Sequence, residues 1–430
     1  MPTQTVSHAP ALHGTAHVPA DKSVSHRAAL MAALADGRST LHGFPQAADP
    51  QSTLSCLRQL GVSVETEGDT VHIDGVGLHG LQAPADPVDC GNSGTTMRLL
   101  AGILAGQPFE STLTGDASLR ARPMARIANP LQQMDAAVTL TGGTAPIHLG
   151  GRTAPLHAMT YRLPMASAQV KSCVLLAGLY AEGATTVIQP VPCRDHTERM
   201  LNLPIEVDDD GVQHIRITPH DGPATSTWNP LPGDFSSAAF LLVAATLVPG
   251  SAVTIPDVGL NPTRTGLLDV LQAMGADLTV TDRTETNGEP VGTITARHAP
   301  LEGVTVEGDA IPNLIDEIPV LAVAAAAARG QTVIRDAAEL RVKETDRLEA
   351  VAEVLTRLGA SVSEQEDGLT IQGNRDALTG TTVRSFHDHR IAMAAGVAGC
   401  VAQGETTVED AESARISFPA FWDVLDRLQR

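Results

Sequence analysis

An α/β protein of two similar domains is predicted, each holding three β-α-β-α-β-β units. Three observations predict it. One segment recurs six times: a polar or charged cluster runs into a small-residue apolar stretch, passes a Gly and ends in a strand-like run. A second segment, an amphipathic helix followed by a hairpin, alternates with the first. At 430 residues the chain exceeds one ordinary core, so two domains are expected and the six units divide into three and three.

The first segment opens on Lys22-Ser23-Val24-Ser25-His26-Arg27, on Gly91-Asn92-Ser93-Gly94-Thr95-Thr96 and on Ser167-Ala168-Gln169-Val170-Lys171-Ser172. The later openings are Gly233-Asp234-Phe235-Ser236-Ser237, Asp316-Glu317 and His387-Asp388-His389-Arg390. The apolar bodies read as buried helices. The openings read as helix starts, where bare N–H groups and the dipole favour an anion. Several openings carry cations, which are unfavourable there; a bound anionic ligand removes that conflict. In the second segment the helices stop at Gly61, Gly275 and Gly359. The strands then alternate around Glu67-Gly68-Asp69, Asn287-Gly288 and Asp367-Gly368. Pro130 is expected to shorten or kink its helix. The last copy, beginning at Ser417, has no hairpin, and strand-like material at the N-terminus has no helix before it. The N-terminal strands are therefore expected to complete the last unit. The domains become 18–231 and 1–17 plus 232–430, with crossings near Ala16–Pro19 and the Pro-, Gly- and Thr-rich Pro223–Gly233.

A net charge of −20 and a pI near 5.1 argue against nucleic-acid binding, which needs a basic face. Lys and Arg gathered locally in an acidic chain focus on a small anion, unless the acidity is merely a soluble surface. The five Cys (Cys56, Cys90, Cys173, Cys193, Cys400) are scattered and form no C-x-x-C pair, so neither a zinc site nor a disulfide framework is expected. With no signal-like start and a longest apolar run of only Pro319 to Ala328, a soluble cytoplasmic protein without membrane partners is expected.

The residues that can carry chemistry sit at the openings. Lys22, Ser23 and Arg27 fall within one and a half turns; Ser23 can cap the helix or contact a phosphate, and a solvated helix start is the plain alternative. Gly91 to Arg98 reads as a phosphate-cradling turn but lacks the Walker lysine. Arg122, before Pro123 as a first-turn proline, can fork onto a carboxylate or phosphate, or be an ordinary surface arginine. Ser167, Gln169 and Lys171 offer donors at a helix start, with Arg194 at the next; Ser167 and Gln169 can equally be caps. Asp316-Glu317 suits a cap or a general base. In Arg341-Val342-Lys343-Glu344-Thr345-Asp346-Arg347, Lys343 and Arg347 are expected to share a helix face with Glu344 between them, as an anion site or a surface ion ladder. His387-x-His389 can ligate a metal, but with no third ligand cluster Arg390 reads as another anion clamp.

Taken together and in order, these motifs resemble the 5-enolpyruvylshikimate-3-phosphate synthase family, the enolpyruvyl transferases of aromatic amino-acid biosynthesis. The resemblance rests on Lys22 to Arg27, Gly91 to Arg98, Leu119-Arg120-Ala121-Arg122-Pro123-Met124, Ser167-Ala168-Gln169, Asp316-Glu317, Arg341 to Arg347, Asp388-His389-Arg390 and Ser417-Phe418-Pro419, and covers essentially the whole chain. It implies two domains, each an inside-out α/β barrel, with the active site in the interdomain cleft. Shikimate 3-phosphate is then held by Lys22, Ser23, Arg27, Ser167, the Ala168 backbone, Gln169, Arg194, Asp316 and Lys343. Phosphoenolpyruvate is held by Lys22, Gly94, Arg122, Gln169, Arg347 and Arg390. The implied reaction is addition then elimination through a tetrahedral intermediate. Asp316 is the base toward the 5-hydroxyl, Glu344 delivers and later removes the methyl proton, and Lys22 carries a proton and stabilises charge. Neither a cofactor nor a metal is implied, and a monomer is expected.

Ala168 stands where the best-known pattern has a serine, Arg194 where Ser and Tyr are often used, Glu339 where Asn is often found, and Ile416 where a lysine usually precedes Thr-Phe-Pro. These departures resemble the family's second, more divergent class. Two rivals remain at this point. The cell-wall enolpyruvyl transferase acting on UDP-N-acetylglucosamine usually has a reactive Cys before its Arg-Pro pair; Gly115 to Arg122 contains none. A catalytically dead phosphometabolite-binding protein would not need Lys22, Asp316 and Glu344 together.

Overall fold

The computed structural model describes residues 2–430. The chain forms two compact units. One, here the N-terminal unit, comprises Ala20–Leu231 with Glu285–Glu289; the other, the C-terminal unit, comprises residues 2–19, Pro232–Thr284 and Pro290–Arg430. Each has its own hydrophobic core.

Each unit carries three sheets; five of the six are four-stranded and of one design, and the sheet centred on Glu405–Glu409 has three strands. In the N-terminal unit the sheet centred on Asp36–Leu41 runs Thr227–Trp228, Asp36–Leu41, Thr70–Val76, Ser63–Glu67. The first two strands are parallel and the rest antiparallel. The sheets centred on Ser111–Thr114 and Thr185–Gln189 repeat this order. In the C-terminal unit the central strands are Ala252–Gly259, Gly330–Ile334 and Glu405–Glu409. Thr3–Ser7 pairs antiparallel with Glu405–Glu409. His13–Thr15, however, pairs in parallel with Ala252–Gly259, so it joins the first sheet of this unit and not the last. The reason is an empty edge: most sheets take their parallel edge strand from just before their core helix, and the first sheet of each unit takes it from a distant stretch of chain.

The six apolar bodies are helices: Lys22–Leu34, Gly94–Leu104, Ala168–Gly178, Phe235–Leu247, Ile318–Ala327 and His389–Val401. Five are capped by a side chain. Asp21 accepts from Val24 N (2.8 Å), Ser93 from Thr96 N (3.1 Å), Ser167 from Val170 N (3.4 Å), Asp234 from Ser237 N (3.2 Å) and Asp388 from Arg390 N (2.8 Å). Ser23 is thus not the cap of its helix; the residue before Lys22 is. Small residues set the packing. A Cβ on Gly102 would lie 2.3 Å from Cys173 O, so Gly94–Leu104 and Ala168–Gly178 touch backbone to backbone. Gly61, Gly275 and Gly359 end their helices at φ of +84°, +99° and +94°.

Pro130 lies inside the nine-residue helix Ala125–Gln133. Pro123 precedes the N-cap Met124 and is not a first-turn proline. The run Pro319 to Ala328 belongs to a longer helical path, Gly308–Ala327, whose length and mean hydropathy of 1.5 suffice to cross a bilayer. That path is broken by 3₁₀ turns at Gly308–Ala310 and Ile315–Glu317, and its apolar residues lie in the C-terminal core. A core helix meets the same criterion.

Candidate active site

In the N-terminal unit the candidate residues sit at the starts of three core helices, on the turn before His196–Met200 and, for Arg122, at the C-terminal cap of the short helix Ala117–Ala121. The Lys22 ammonium pairs with Asp49. Burial alone would raise the Asp49 carboxyl, but Lys22 outweighs it and holds the group below the ordinary carboxylate range. Arg27, 3 % exposed, donates from Nη1 to Ser23 O (3.0 Å), from Nε to Thr197 Oγ1 (2.8 Å) and from Nη2 to Ser172 Oγ (2.9 Å). Burial brings its guanidinium down to about 10, still charged at neutral pH. Arg122 Nη2 donates to Asn92 Oδ1 (2.7 Å), and Asn92 donates to Asp116 (2.7 Å). A Cβ on Gly94 would stand 3.1 Å from Arg98 and 3.4 Å from Arg122. Gln169 is no cap: Ser167 caps that helix, and Gln169 accepts from Arg98 Nη1 (2.5 Å) and donates to Thr95 Oγ1 (2.9 Å). Ala168 opens the helix, and Arg194 lies half-buried on the turn before His196–Met200.

The C-terminal unit brings Asp316, Glu344, Arg347 and Arg390 into one ionic network. Arg347 is 1 % exposed. Its Nε donates to Asp388 Oδ2 (2.8 Å), its Nη2 to Glu344 Oε2 (2.6 Å), and its Nη1 to Asp316 Oδ1 (3.4 Å). Desolvation would lower this guanidinium; the carboxylates of Asp388, Glu344 and Asp316 outweigh it and hold it above its ordinary value. Arg390 Nη1 donates to Asp316 O (3.0 Å), and its guanidinium stands 3.7 Å from both Asp316 Oδ2 and Glu317 Oε1. Glu317 is buried, which raises its carboxyl; it accepts from Ser236, which in turn accepts from Arg264 (2.8 Å). Lys343 Nζ donates to Glu339 (3.1 Å).

Several local expectations change. Lys343 and Arg347 do not share a helix face: residues 338–342 form a 3₁₀ turn, and the helix starts at Arg347 behind the N-cap Asp346. The turn still delivers Glu344 to Arg347. Asp316 and Glu317 form a 3₁₀ turn and make no cap hydrogen bond, which leaves both carboxylates to the arginines. The two histidines of His387-x-His389 diverge: the His387 side chain is 74 % exposed, whereas burial drives the His389 imidazole down to about 3. Residues the motif reading left unassigned also enter the site. Asp388 and Arg98 lie inside the quoted motifs and could have been found there. So do Ser172 and Glu317; Asp49 and Thr197 carry no local signal, and only tertiary packing selects them.

Two units of repeated sheets make a fold that solved enolpyruvyl transferases share. An enolpyruvyl transferase from Streptomyces tendae shares the fold, with a TM-score of 0.77 at 19 % identity over 99 % of this chain and 96 % of that one. The model of the EPSP synthase (3-phosphoshikimate 1-carboxyvinyltransferase) family matches residues 6–425, and the chain belongs to that family. A 3-phosphoshikimate 1-carboxyvinyltransferase of Salinibacter ruber is 59 % identical over 99 % of both chains. One from a Synechococcus strain is 50 % identical over 97 % of both. The solved EPSP synthase of Acinetobacter baumannii superimposes with a TM-score of 0.89 at 43 % identity, covering 99 % of this chain and 98 % of that one.

Proposed function

We propose that this enzyme transfers the enolpyruvyl group of phosphoenolpyruvate to the 5-hydroxyl of shikimate 3-phosphate and releases phosphate. One observation in the geometry carries the reading: Asp316, the Glu344–Arg347 segment and Arg390, three separate stretches of chain, form a single hydrogen-bonded network. Two carboxylates for proton transfer stand beside two guanidiniums for an anion, as the addition–elimination requires. Full-length likeness to relatives named for this reaction supports the same reading and does not favour the sugar-nucleotide acceptor.

The assigned roles follow. Asp316 accepts the proton of the attacking hydroxyl; Glu344 protonates C3 of phosphoenolpyruvate and reclaims that proton on elimination; Lys22 stabilises charge and carries a proton. Shikimate 3-phosphate contacts Lys22, Ser23, Arg27, Ser167, Ala168, Gln169, Arg194, Asp316 and Lys343. Phosphoenolpyruvate contacts Lys22, Gly94, Arg122, Gln169, Arg347 and Arg390. Both substrates are polyanions, so cations must offset their mutual repulsion. The accompanying domain division is 18–231 against 1–17 plus 232–430, supported by the breaks between compact units after Pro19 and Leu231. A monomeric cytoplasmic enzyme belongs to the same proposal. The test is phosphate release with phosphoenolpyruvate and either shikimate 3-phosphate or UDP-N-acetylglucosamine as acceptor. Release with the first acceptor alone is expected; release with the second alone overturns the reading.

A further inference from the structure

Arg27 is held in an unusual way for a buried arginine. Its three protein acceptors are a carbonyl and two hydroxyls, Ser23 O, Thr197 Oγ1 and Ser172 Oγ, all neutral. A guanidinium has five N–H donors in a rigid fork. One from each nitrogen is used here, which leaves one on each Nη for a ligand. The two hydroxyls also bond each other at 2.7 Å, so neither can rotate away without breaking a second contact.

The element that carries Thr197 is only the five-residue helix His196–Met200, too short to hold itself. A buried ion pair anchors it. Lys171 Nζ lies 2.6 Å from Glu198 Oε1 and donates to Gln189 Oε1 (2.6 Å) and Cys193 O (3.1 Å). Lys171 is fully buried and Glu198 nearly so. Burial would lower the Lys171 ammonium, but Glu198 outweighs it and keeps the lysine charged. Such a pair contributes little net stability over an apolar isostere yet fixes geometry. It docks the Thr197 turn on the helix Ala168–Gly178, which presents Ser172 to the same guanidinium.

We propose that Thr197, together with Ser172, is a positioning residue for the acceptor substrate: the two hydroxyls aim the Arg27 fork while leaving its charge unspent for the anion. Resting on the proposed function, this adds a second layer beneath the residues that touch substrate. Thr197→Val keeps the shape and removes the acceptor; Thr197→Ser keeps the acceptor.

The experiment measures kcat and both KM values by phosphate release, with shikimate 3-phosphate and phosphoenolpyruvate, in wild type, Thr197→Val, Thr197→Ser and Ser172→Ala. Thr197→Val is then repeated in an Arg27→Met background. Thr197→Val and Ser172→Ala are each expected to raise KM for shikimate 3-phosphate about ten-fold, the loss of one charge-assisted hydrogen bond. The phosphoenolpyruvate KM and kcat move less than about two-fold, and Thr197→Ser recovers most of the loss. In the Arg27→Met background Thr197→Val adds less than about two-fold, because the guanidinium it acts through is gone. An unchanged KM in Thr197→Val, or a full additional loss without Arg27, overturns the proposal. If wild type itself releases no phosphate from these substrates, the proposed function fails instead.

Discussion

The two units treat their arginines in opposite ways. In the N-terminal unit, Arg27 and Arg122 are held by hydroxyls, a carbonyl and an amide oxygen. In the C-terminal unit, Arg347 is enclosed by three carboxylates and Arg390 stands beside two. The lysines differ: Lys22 pairs with Asp49 and Lys171 with Glu198. A neutral cradle orients a cation without cancelling it, so the charge remains for a ligand anion. A carboxylate cage partly offsets the cation's charge and fixes the carboxylates in place. The first arrangement suits binding; the second fixes the positions of Asp316 and Glu344, as the proton transfers proposed for them need.

The contrast can be broken at its strongest point. Asp388 both caps its helix and grips Arg347. Asp388→Asn is expected to cost about 3–5 kcal/mol in urea unfolding, the loss of one partner from a buried pair. Arg27→Met should cost only about 1–2 kcal/mol, since its hydroxyl partners remain bonded to each other. Equal costs would erase the distinction.

Next comes chemistry. Asp316→Ala and Glu344→Gln should each lower turnover by at least ~10²-fold with the far-ultraviolet dichroism unchanged. Near-normal turnover in both would remove the carboxylates from the reaction.

Acid sharpens the comparison, because His26 in the N-terminal unit and His389 in the C-terminal unit are both buried near the candidate residues. Burial brings both His26 and His389 from 6.5 to about 3. The unfolded chain therefore takes up these protons first. Their contribution to stability is fully present above about 6.5 and declines as the pH falls toward 3, by up to ~1.4 kcal/mol per pH unit for each histidine. His26→Asn and His389→Asn should each flatten the slope of unfolding free energy between pH 6.5 and 5; an unchanged slope in both would mean that neither imidazole is held neutral. The smallest effect concerns capping. Ser93→Ala should cost ~1 kcal/mol, read as a lowered unfolding midpoint.

Much of this was legible in the chain. The buried helices announced themselves because small and apolar residues run without charge for eight or more residues. The hairpins showed because Asn287-Gly288 and Gly68 sit where strand alternation breaks; φ there is +48°, +81° and +64°. Local conflicts were less legible. Ser23 was as good a cap by composition as Asp21, and only backbone geometry chose between them. The helical spacing of Lys343 and Arg347 misled, because Asp346 captures the N-cap and pushes both Lys343 and Glu344 off the helix.

By itself the sequence determined the repeat, the two-domain α/β class, the family, and which charged residues open each helix, because these depend on periodicity and local motif. Only the tertiary structure decided what each cation faces. Thr197 lies far along the chain from Arg27, as Asp388 does from Arg347. Whether a guanidinium meets a hydroxyl or a carboxylate is settled by which helices pack together, and that is a property of the closed core and not of any stretch of chain.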